Sequence, residues 1–569
     1  MKRVKKMLAL ALVIITVLTM MVACKPKEAN TPASPPASPS SPGSAPPSNP
    51  PGAPGTSTTP GNQTPAPPPA APDVLATKTV RIGIAGNPAT LDPWSLISEG
   101  RVDVLRNVYE FLFDIPYIGG AIVPVIASGF EQNDLLTYTV KLYDYVHDSK
   151  GNKITADDVV FSYESALALG FSGANLGSVD SIKKIDDYTI QFKLKSPAAG
   201  LIENALGYTA IVSKAEYEKN PDAFISNPVG TGPYVVTEHV PGSSLSFTRN
   251  DNYWQTDKSL VAKLSQANIG NIRYLVIPES SQLTMALESG NIDLGYFVSV
   301  SDLKRFEGKN FTTYTPPRDL ADVILFNCLE GNVFTNQKLR QAVCYAIDSS
   351  VMVKVVYEGH GWVCKTYGSS VFTDYLEKWQ NEEYYEYNPA KAKELLAEAG
   401  YPNGLTVTLL TANRETHVKM AQIIQTMLKD IGITVEIQQV DGAVFASYAR
   451  NAQSEIPFDF YIDQRSSFDF VVNVWSFSFD ANRNKGWTVN FYKDDQLQKL
   501  LLTATDSRTH TPDNIDKLHN YLKEICIGYA MCHGTYNFVA VDTITDFTRD
   551  FKSRLTPGGC TYSVDFVGG

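Results

Sequence analysis

Residues 405–440 read LTVTLLTANRETHVKMAQIIQTMLKDIGITVEIQQV, and three periodicities follow one another in them. Leu405, Val407 and Leu409 alternate with polar residues, the period-two mark of a strand. Met420, Ile424, Met427 and Ile431 then recur three or four apart, which lines one face of a helix. Ile433, Val435 and Ile437 alternate again. A strand, a helix and a strand in so short a span are of βαβ size, so this region predicts a mainly parallel sheet with covering helices.

Upstream, Asn388 is placed to cap a helix with Pro389 at its first position. Ala392, Leu395, Leu396 and Ala399 form its apolar stripe, and Gly400 and Pro402 stop it. Nearer the start, Val80, Ile82 and Ile84 predict a half-buried strand, and Tyr138, Val140 and Leu142 repeat that period. Thr155 with Asp158 three residues on approximates a capping box for a helix carrying Val159, Ser162, Tyr163 and Ala166. No tandem repeat is visible. The folded part, from about Asp73 onward, is too long for one core and predicts two or three domains.

The first residues differ in kind. Lys2, Arg3, Lys5 and Lys6 precede an uncharged apolar run from Met7 to Ala23, the layout of a secretory signal peptide and too short for an ordinary membrane span. It ends at Met21-Val22-Ala23-Cys24, which resembles a bacterial lipobox with Met in place of the usual Leu; Cys24 is then the lipidated residue. Residues 25–72 hold half of the chain's 34 prolines among Ala, Ser, Gly and Thr. Such a segment has too little apolar surface to fold and acts as an extended tether. A long spacer suits a thick cell wall and points to a Gram-positive source.

The formal net charge of -11 argues against nucleic acid as a partner. Beyond Cys24 the cysteines are Cys328, Cys344, Cys364, Cys526, Cys532 and Cys560. Export would allow them to oxidise, but spacing leaves their connectivity open, and reduced core residues are the alternative.

Seven segments in one order resemble the family 5 solute-binding proteins, the oligopeptide, dipeptide and nickel type. They are Leu91-Asp92-Pro93, Tyr138 to Leu142, Ile154 to Ser162, Val229-Gly230-Thr231-Gly232-Pro233-Tyr234, Arg249 to Trp254, Ala286 to Asp293, and Leu339 to Asp348. Most read as structural. Gly230 and Gly232 give a tight turn its freedom, with Pro233 fixing the exit, and no Gly-Lys-Ser/Thr ending makes them a phosphate loop. Tyr253 and Trp254 read as edge or core aromatics. Arg340 and Asp348, eight apart on one expected helix, read as polar groups that hold the fold.

The resemblance implies an α/β, two-lobed periplasmic-binding-protein-like fold with an extra domain inserted in the first lobe and a ligand cleft between lobes. By that comparison residues 1–24 are the lipoprotein signal peptide and 25–72 the tether. Lobe I is built from 73–113, 230–322 and a C-terminal return over 538–569, with the inserted domain at 114–229; lobe II is 323–537. The implied partners are a small solute, first of all a peptide, the permease and ATPase subunits of an ABC importer, and the membrane through lipidated Cys24. No cofactor and no metal are implied.

In peptide-binding relatives a lobe II carboxylate pairs with the ligand's amine, near a Gly-Trp pair. Residues 458–477 correspond, and that pair is missing. Asp469 is the first choice for the anchor and Asp463 the second, because an enclosed ammonium group needs a charge partner. Arg465 either binds a ligand carboxylate bidentately or neutralises Asp463. Trp94, Trp362 and Trp475 are candidates to stack on a sugar ring or an apolar side chain, against core burial as the alternative. Asn327 completes the candidate ligand set.

A cell-envelope hydrolase is the enzymatic alternative, and a ligand-sensing lipoprotein or an oligosaccharide binder are the others. There is no His-Glu-x-x-His helix and no Gly-x-Ser-x-Gly elbow, and the seven histidines are scattered. Cys526 with Cys532-His533 matches no zinc spacing and reads as helix core. These absences favour a binding protein over an enzyme.

Overall fold

The computed structural model describes residues 77–94, 104–114, 121–168, 176–262, 265–449, 457–465, 470–481, 492, 494–545 and 565–566. The signal peptide, Cys24, the tether, Asp469 and Cys560 lie outside these residues.

The βαβ unit forms as its periodicity predicts. Leu405–Ala412 and Ile433–Val440 pair in parallel from Leu405 opposite Ile433 to Ala412 opposite Val440, and helix Glu415–Asp430 joins them. That helix buries His417, Met420, Ala421, Ile424 and Leu428, so the inward stripe begins a turn earlier than the sequence pattern suggests, and Ile431 sits just past the end. The preceding helix, Pro389–Glu398, is capped by the Asn388 side chain, which accepts from the Lys391 amide at 3.0 Å. Between the two comes Gly404, at φ 85°; a Cβ there would lie 2.1 Å from the Gly432 carbonyl oxygen, so only glycine lets the two turns pass.

This unit belongs to a six-stranded sheet in the order Gly361–Val363, Gly528–Gly534, Ala321–Phe326, Phe460–Arg465, Leu405–Ala412, Ile433–Val440. All six residues of Ala321–Phe326 are buried. Ile324 and Phe326 pack into one core with Phe460, Ile462 and Leu409, while Val323 and Leu325 pack into another with Tyr461 and Leu410. A strand covered on both faces reads as a continuous apolar run, and here Asp322 is the exception to it.

A second, seven-stranded sheet runs Phe311–Tyr314, Phe538–Val541, Leu294–Tyr296, Thr79–Ile84, Asn271–Val276, Ser244–Arg249, Tyr234–Val240. Thr79–Ile84 pairs in parallel with both Asn271–Val276 and Leu294–Tyr296. Val80, Ile82 and Ile84 are buried as expected, but Gly83 on the opposite face is packed too, under Leu283 and Ile292. The strand is therefore covered on both sides towards its end. A four-stranded antiparallel sheet, Ala127–Asp134, Thr137–Leu142, Thr189–Leu194, Val179–Asp186, lies between the first two strands of the seven-stranded sheet in sequence, with helix Ala156–Ala168 against it. At the start of that helix the Asp158 carboxylate accepts from both the amide and the hydroxyl of Thr155, at 2.8 and 2.9 Å.

Three local readings change. Gly230 and Gly232 are needed for close approach: a Cβ on either would fall within 2.5 Å of the Val108 carbonyl oxygen, and the Gly232 amide donates to that oxygen at 2.7 Å. Arg340 and Asp348 occupy two helices, Gln337–Tyr345 and Ser349–Val356, the second capped by Asp348. Cys532 and His533 lie on the fully buried strand Gly528–Gly534, because a strand buried on both faces loses the alternation that would distinguish it from a helix. Trp254 and Tyr253 do serve the core, donating to Glu110 at 2.7 and 2.6 Å.

Candidate functional site

The chain passes between the two large sheets twice, over residues 315–320 and 535–537. The passages lie side by side: Pro317 bridges Thr535, the Tyr536 amide donates to the Pro316 carbonyl at 2.9 Å, and the Arg318 amide donates to the Gly534 carbonyl at 2.9 Å. Strand direction then fixes what faces them. In the six-stranded sheet Ala321 starts its strand next to this crossing and pairs with Arg465, so Phe460–Arg465 ends there. Leu405–Ala412 and Ile433–Val440 run parallel to it and end on the same side. In the seven-stranded sheet Phe538 leaves the crossing opposite Tyr296, so Leu294–Tyr296 and its parallel neighbours Thr79–Ile84 and Asn271–Val276 also end there. At least four carboxyl ends from each sheet, those of Phe311–Tyr314 and Gly528–Gly534 included, thus meet the crossing, which is where open α/β sheets bind ligands.

A polar cluster sits at the foot of this crossing. Asp322, with no exposed surface, accepts from Gln464 Nε2 at 2.9 Å and from the Tyr357 hydroxyl, and His417 Nε2 lies 3.6 Å from it. Burial pushes the Asp322 carboxyl up, but His417, the Arg318 charge and the Tyr357 hydroxyl outweigh it and hold it below the usual carboxylate range. Arg318, on the first passage, stacks its guanidinium over Tyr536 of the second, 5.4 Å from the ring centroid. Tyr536 in turn donates to Asp319 at 2.7 Å. Burial depresses His533 to about 4, and its ring accepts or donates a 3.3 Å contact with Ser370.

Two aromatic side chains at this edge are open to solvent. Trp362 is 45 % exposed and lies flat against His533, centroids 5.3 Å apart. Phe297, one residue past Tyr296, is 37 % exposed and holds φ at 58°. A bulky residue in the left-handed region is an outlier that the surroundings must enforce, here Tyr536 and Phe538 at 5.6 and 5.8 Å.

The structure brings only some of the sequence candidates to this place. Asp463 and Arg465 are there, ion-paired to each other, with Arg465 donating also to the Gln464 carbonyl at 3.0 Å. Of the two readings of Arg465, neutralising Asp463 is the one this geometry contains. Trp94 is a core residue, 1 % exposed, donating to the Ala210 carbonyl between Phe161 and Tyr217. Trp475 is wholly buried, donating to the Tyr367 carbonyl at 2.9 Å. Asn327 lies beyond Phe326, at the end of its strand remote from the crossing, and ties the Phe458 carbonyl at 3.0 Å. Arg318, Asp322, Tyr357, His417, Tyr536 and Phe297 were not singled out from sequence; only Asp322, a charge in an apolar strand, left a signal there. Among the described residues no group of three or more His, Cys, Asp or Glu side chains is placed to hold a metal ion. No helix of the described residues is long and apolar enough to cross a membrane.

Comparison with known proteins agrees with this architecture. The oligopeptide-binding protein AppA of Bacillus subtilis (strain 168) is 27 % identical over 457 residues, which is 74 % of this chain and 80 % of that one. Two solved structures share the fold. DppA from Helicobacter pylori, in complex with the peptide STSA, superposes with a TM-score of 0.71 at 22 % identity over 86 % of this chain and 98 % of its own. AgaA from A.tumefacien R10, in complex with agropinic acid, gives 0.72 at 23 % over 86 % and 99 %. The two-lobed α/β fold of periplasmic binding proteins is thus the fold of this chain. The pattern described as "Bacterial extracellular solute-binding proteins, family 5 Middle" matches residues 121–497, and with two sheets meeting at a double crossing this chain belongs to that family of solute-binding proteins.

Proposed function

We propose that this protein captures a peptide-like solute outside the cell, between two lobes that close on it, and delivers the solute to the permease of an ABC importer driven by ATPase subunits. The observation that carries the reading is the double crossing with strand carboxyl ends of both sheets turned towards it, the arrangement that suits a hinge with a ligand site beside it. Lobe I then comprises 73–113, 230–322 and 538–569 with 114–229 inserted, and lobe II comprises 323–537. The protein makes and breaks no bond in its solute. Cys24, lipidated, holds it to the membrane through the 25–72 tether, in an envelope of Gram-positive type. A peptide is favoured because AppA and DppA are described as binding peptides.

Trp362 and Phe297 are the apolar surfaces for ligand side chains, and Asp469 is the carboxylate for the ligand's amine, since Asp463 is already paired with Arg465. Native mass spectrometry of the purified protein tests the class of solute. A ladder of co-purified peptides is the expected result; a single non-peptide mass overturns it. Calorimetry then tests the anchor: Asp469→Asn weakens a free-amine peptide and leaves its N-acetylated form unchanged. Equal affinity of both variants for the free amine removes Asp469 from the site.

A further inference from the structure

Far from the crossing, two thiols meet inside the six-stranded half of the molecule. Cys344 near the end of helix Gln337–Tyr345 and Cys526 at the end of helix Pro512–Ile525 are both without exposed surface, and their sulfur atoms stand 3.4 Å apart across 182 residues of chain. The placement is enforced. Cys526 has the left-handed φ of 52° at the helix terminus, its amide donating back to the Leu522 carbonyl at 2.9 Å. Arg340, one turn before Cys344, is itself buried and donates to the carbonyls of Ile525 and Cys526 at 3.1 and 2.9 Å. The guanidinium of one helix thus clamps the turn that presents the sulfur of the other.

The remaining described cysteines are arranged otherwise. Cys364 and Cys532 sit on adjoining segments, but Cys364 packs into the core on one face of the sheet and Cys532 into the core on the other. Cys328 contacts the Phe326 carbonyl at 3.6 Å.

The geometry points to Cys344 and Cys526 as a disulfide that forms while the exported chain folds, by exchange with a small-molecule or protein disulfide. An extracellular solute-binding protein matures where such oxidants persist. In the exchange, the Cys526 thiolate attacks one sulfur of the oxidant and expels its other sulfur as a thiol, leaving a mixed disulfide. Cys344 loses its proton and attacks Cys526 Sγ, expelling the second thiol. Two protein thiols are oxidised and one oxidant disulfide is reduced. Because both sulfurs are sealed in the finished fold, the reaction precedes final packing.

The test uses the full chain, refolded in a buffer of reduced and oxidised glutathione. It is denatured without reductant, alkylated with iodoacetamide, digested and mapped by mass spectrometry. The expected result is one cross-linked species joining the Cys344 and Cys526 peptides, which separates on reduction. Alkylation of both thiols without reduction, or a bond from Cys526 to Cys328, overturns the inference. Thermal unfolding gives a second readout. Reductant lowers the wild-type midpoint by roughly 5–10 °C and leaves that of Cys344→Ser/Cys526→Ser unmoved. An equal response of the two proteins to reductant overturns it as well.

Discussion

The guanidinium of Arg318 lies over the ring of Tyr536, 5.4 Å from its centroid, although the two stand 218 positions apart in the chain. They belong to the two passages between the sheets, and Arg318 also contributes the charge that keeps Asp322 ionised. Arg318→Ala removes both interactions and leaves a buried carboxylate with less compensation. A loss of about 2–4 kcal/mol is expected in urea unfolding. Arg318→Lys recovers only part of it, since an ammonium cannot stack in the same way.

The same carboxylate sets an acid limit. A group whose folded pKa is depressed contributes stability that is present above the unfolded value, about 3.9 for Asp, and is lost as pH falls through the folded value. Burial opposes the ionised form of Asp322 but is outweighed by His417, Arg318 and Tyr357. Unfolding midpoints measured below about pH 4 should fall with acid in the wild type and fall less steeply in Asp322→Asn.

Two histidines act in a higher window. Burial lowers His533 to about 4 and His519 to about 3, both sealed from solvent. Each binds a proton more readily in the unfolded chain, so stability declines as pH drops below about 6.5. The His533 share is complete near its folded value and the His519 share lower still. The double variant His519→Gln/His533→Gln should flatten the decline between pH 6.5 and 4 by a few kcal/mol, read by chemical denaturation at fixed pH.

Trp362 and Trp475 separate binding from stability. Trp475 is wholly buried, so Trp475→Ala should cost about 3–5 kcal/mol of folding free energy. Trp362 is 45 % exposed at the carboxyl edge, so Trp362→Ala should leave the unfolding midpoint almost unchanged. Its expected effect is a roughly tenfold weaker grip on the co-purifying solute, about 1.4 kcal/mol, measured by calorimetry. Unchanged affinity would remove Trp362 from the recess.

At Gly404 the chain tolerates no side chain. Its φ of 85° and the Gly432 carbonyl 2.1 Å from a would-be Cβ combine strain with overlap. Gly404→Ala should cost roughly 2–4 kcal/mol in equilibrium unfolding, more than the conformational penalty alone.

The local part of the design is legible in the sequence. Leu405 to Ile437 gave two strands and a helix because period two and period 3.6 are properties of neighbours, and Asn388 with Pro389 gave a helix start because capping is also local. The crossing was not visible, since Pro317 and Thr535 become partners only through the whole topology. Aromatic identity was equally mute. Trp94, Trp362 and Trp475 look alike in sequence, and only packing distinguishes the exposed one. Cys532-His533 misled because a strand covered on both faces shows no alternation to read.

A tie made at two places is redundant. A protease that severed the backbone within 315–320 would still leave Gly534 continuous with Phe538–Val541, a strand gripped between Phe311–Tyr314 and Leu294–Tyr296. The nicked molecule would keep its halves in register and migrate as one particle until denatured, when it would fall into two fragments. Tolerance of a single cut is thus built into the connectivity itself.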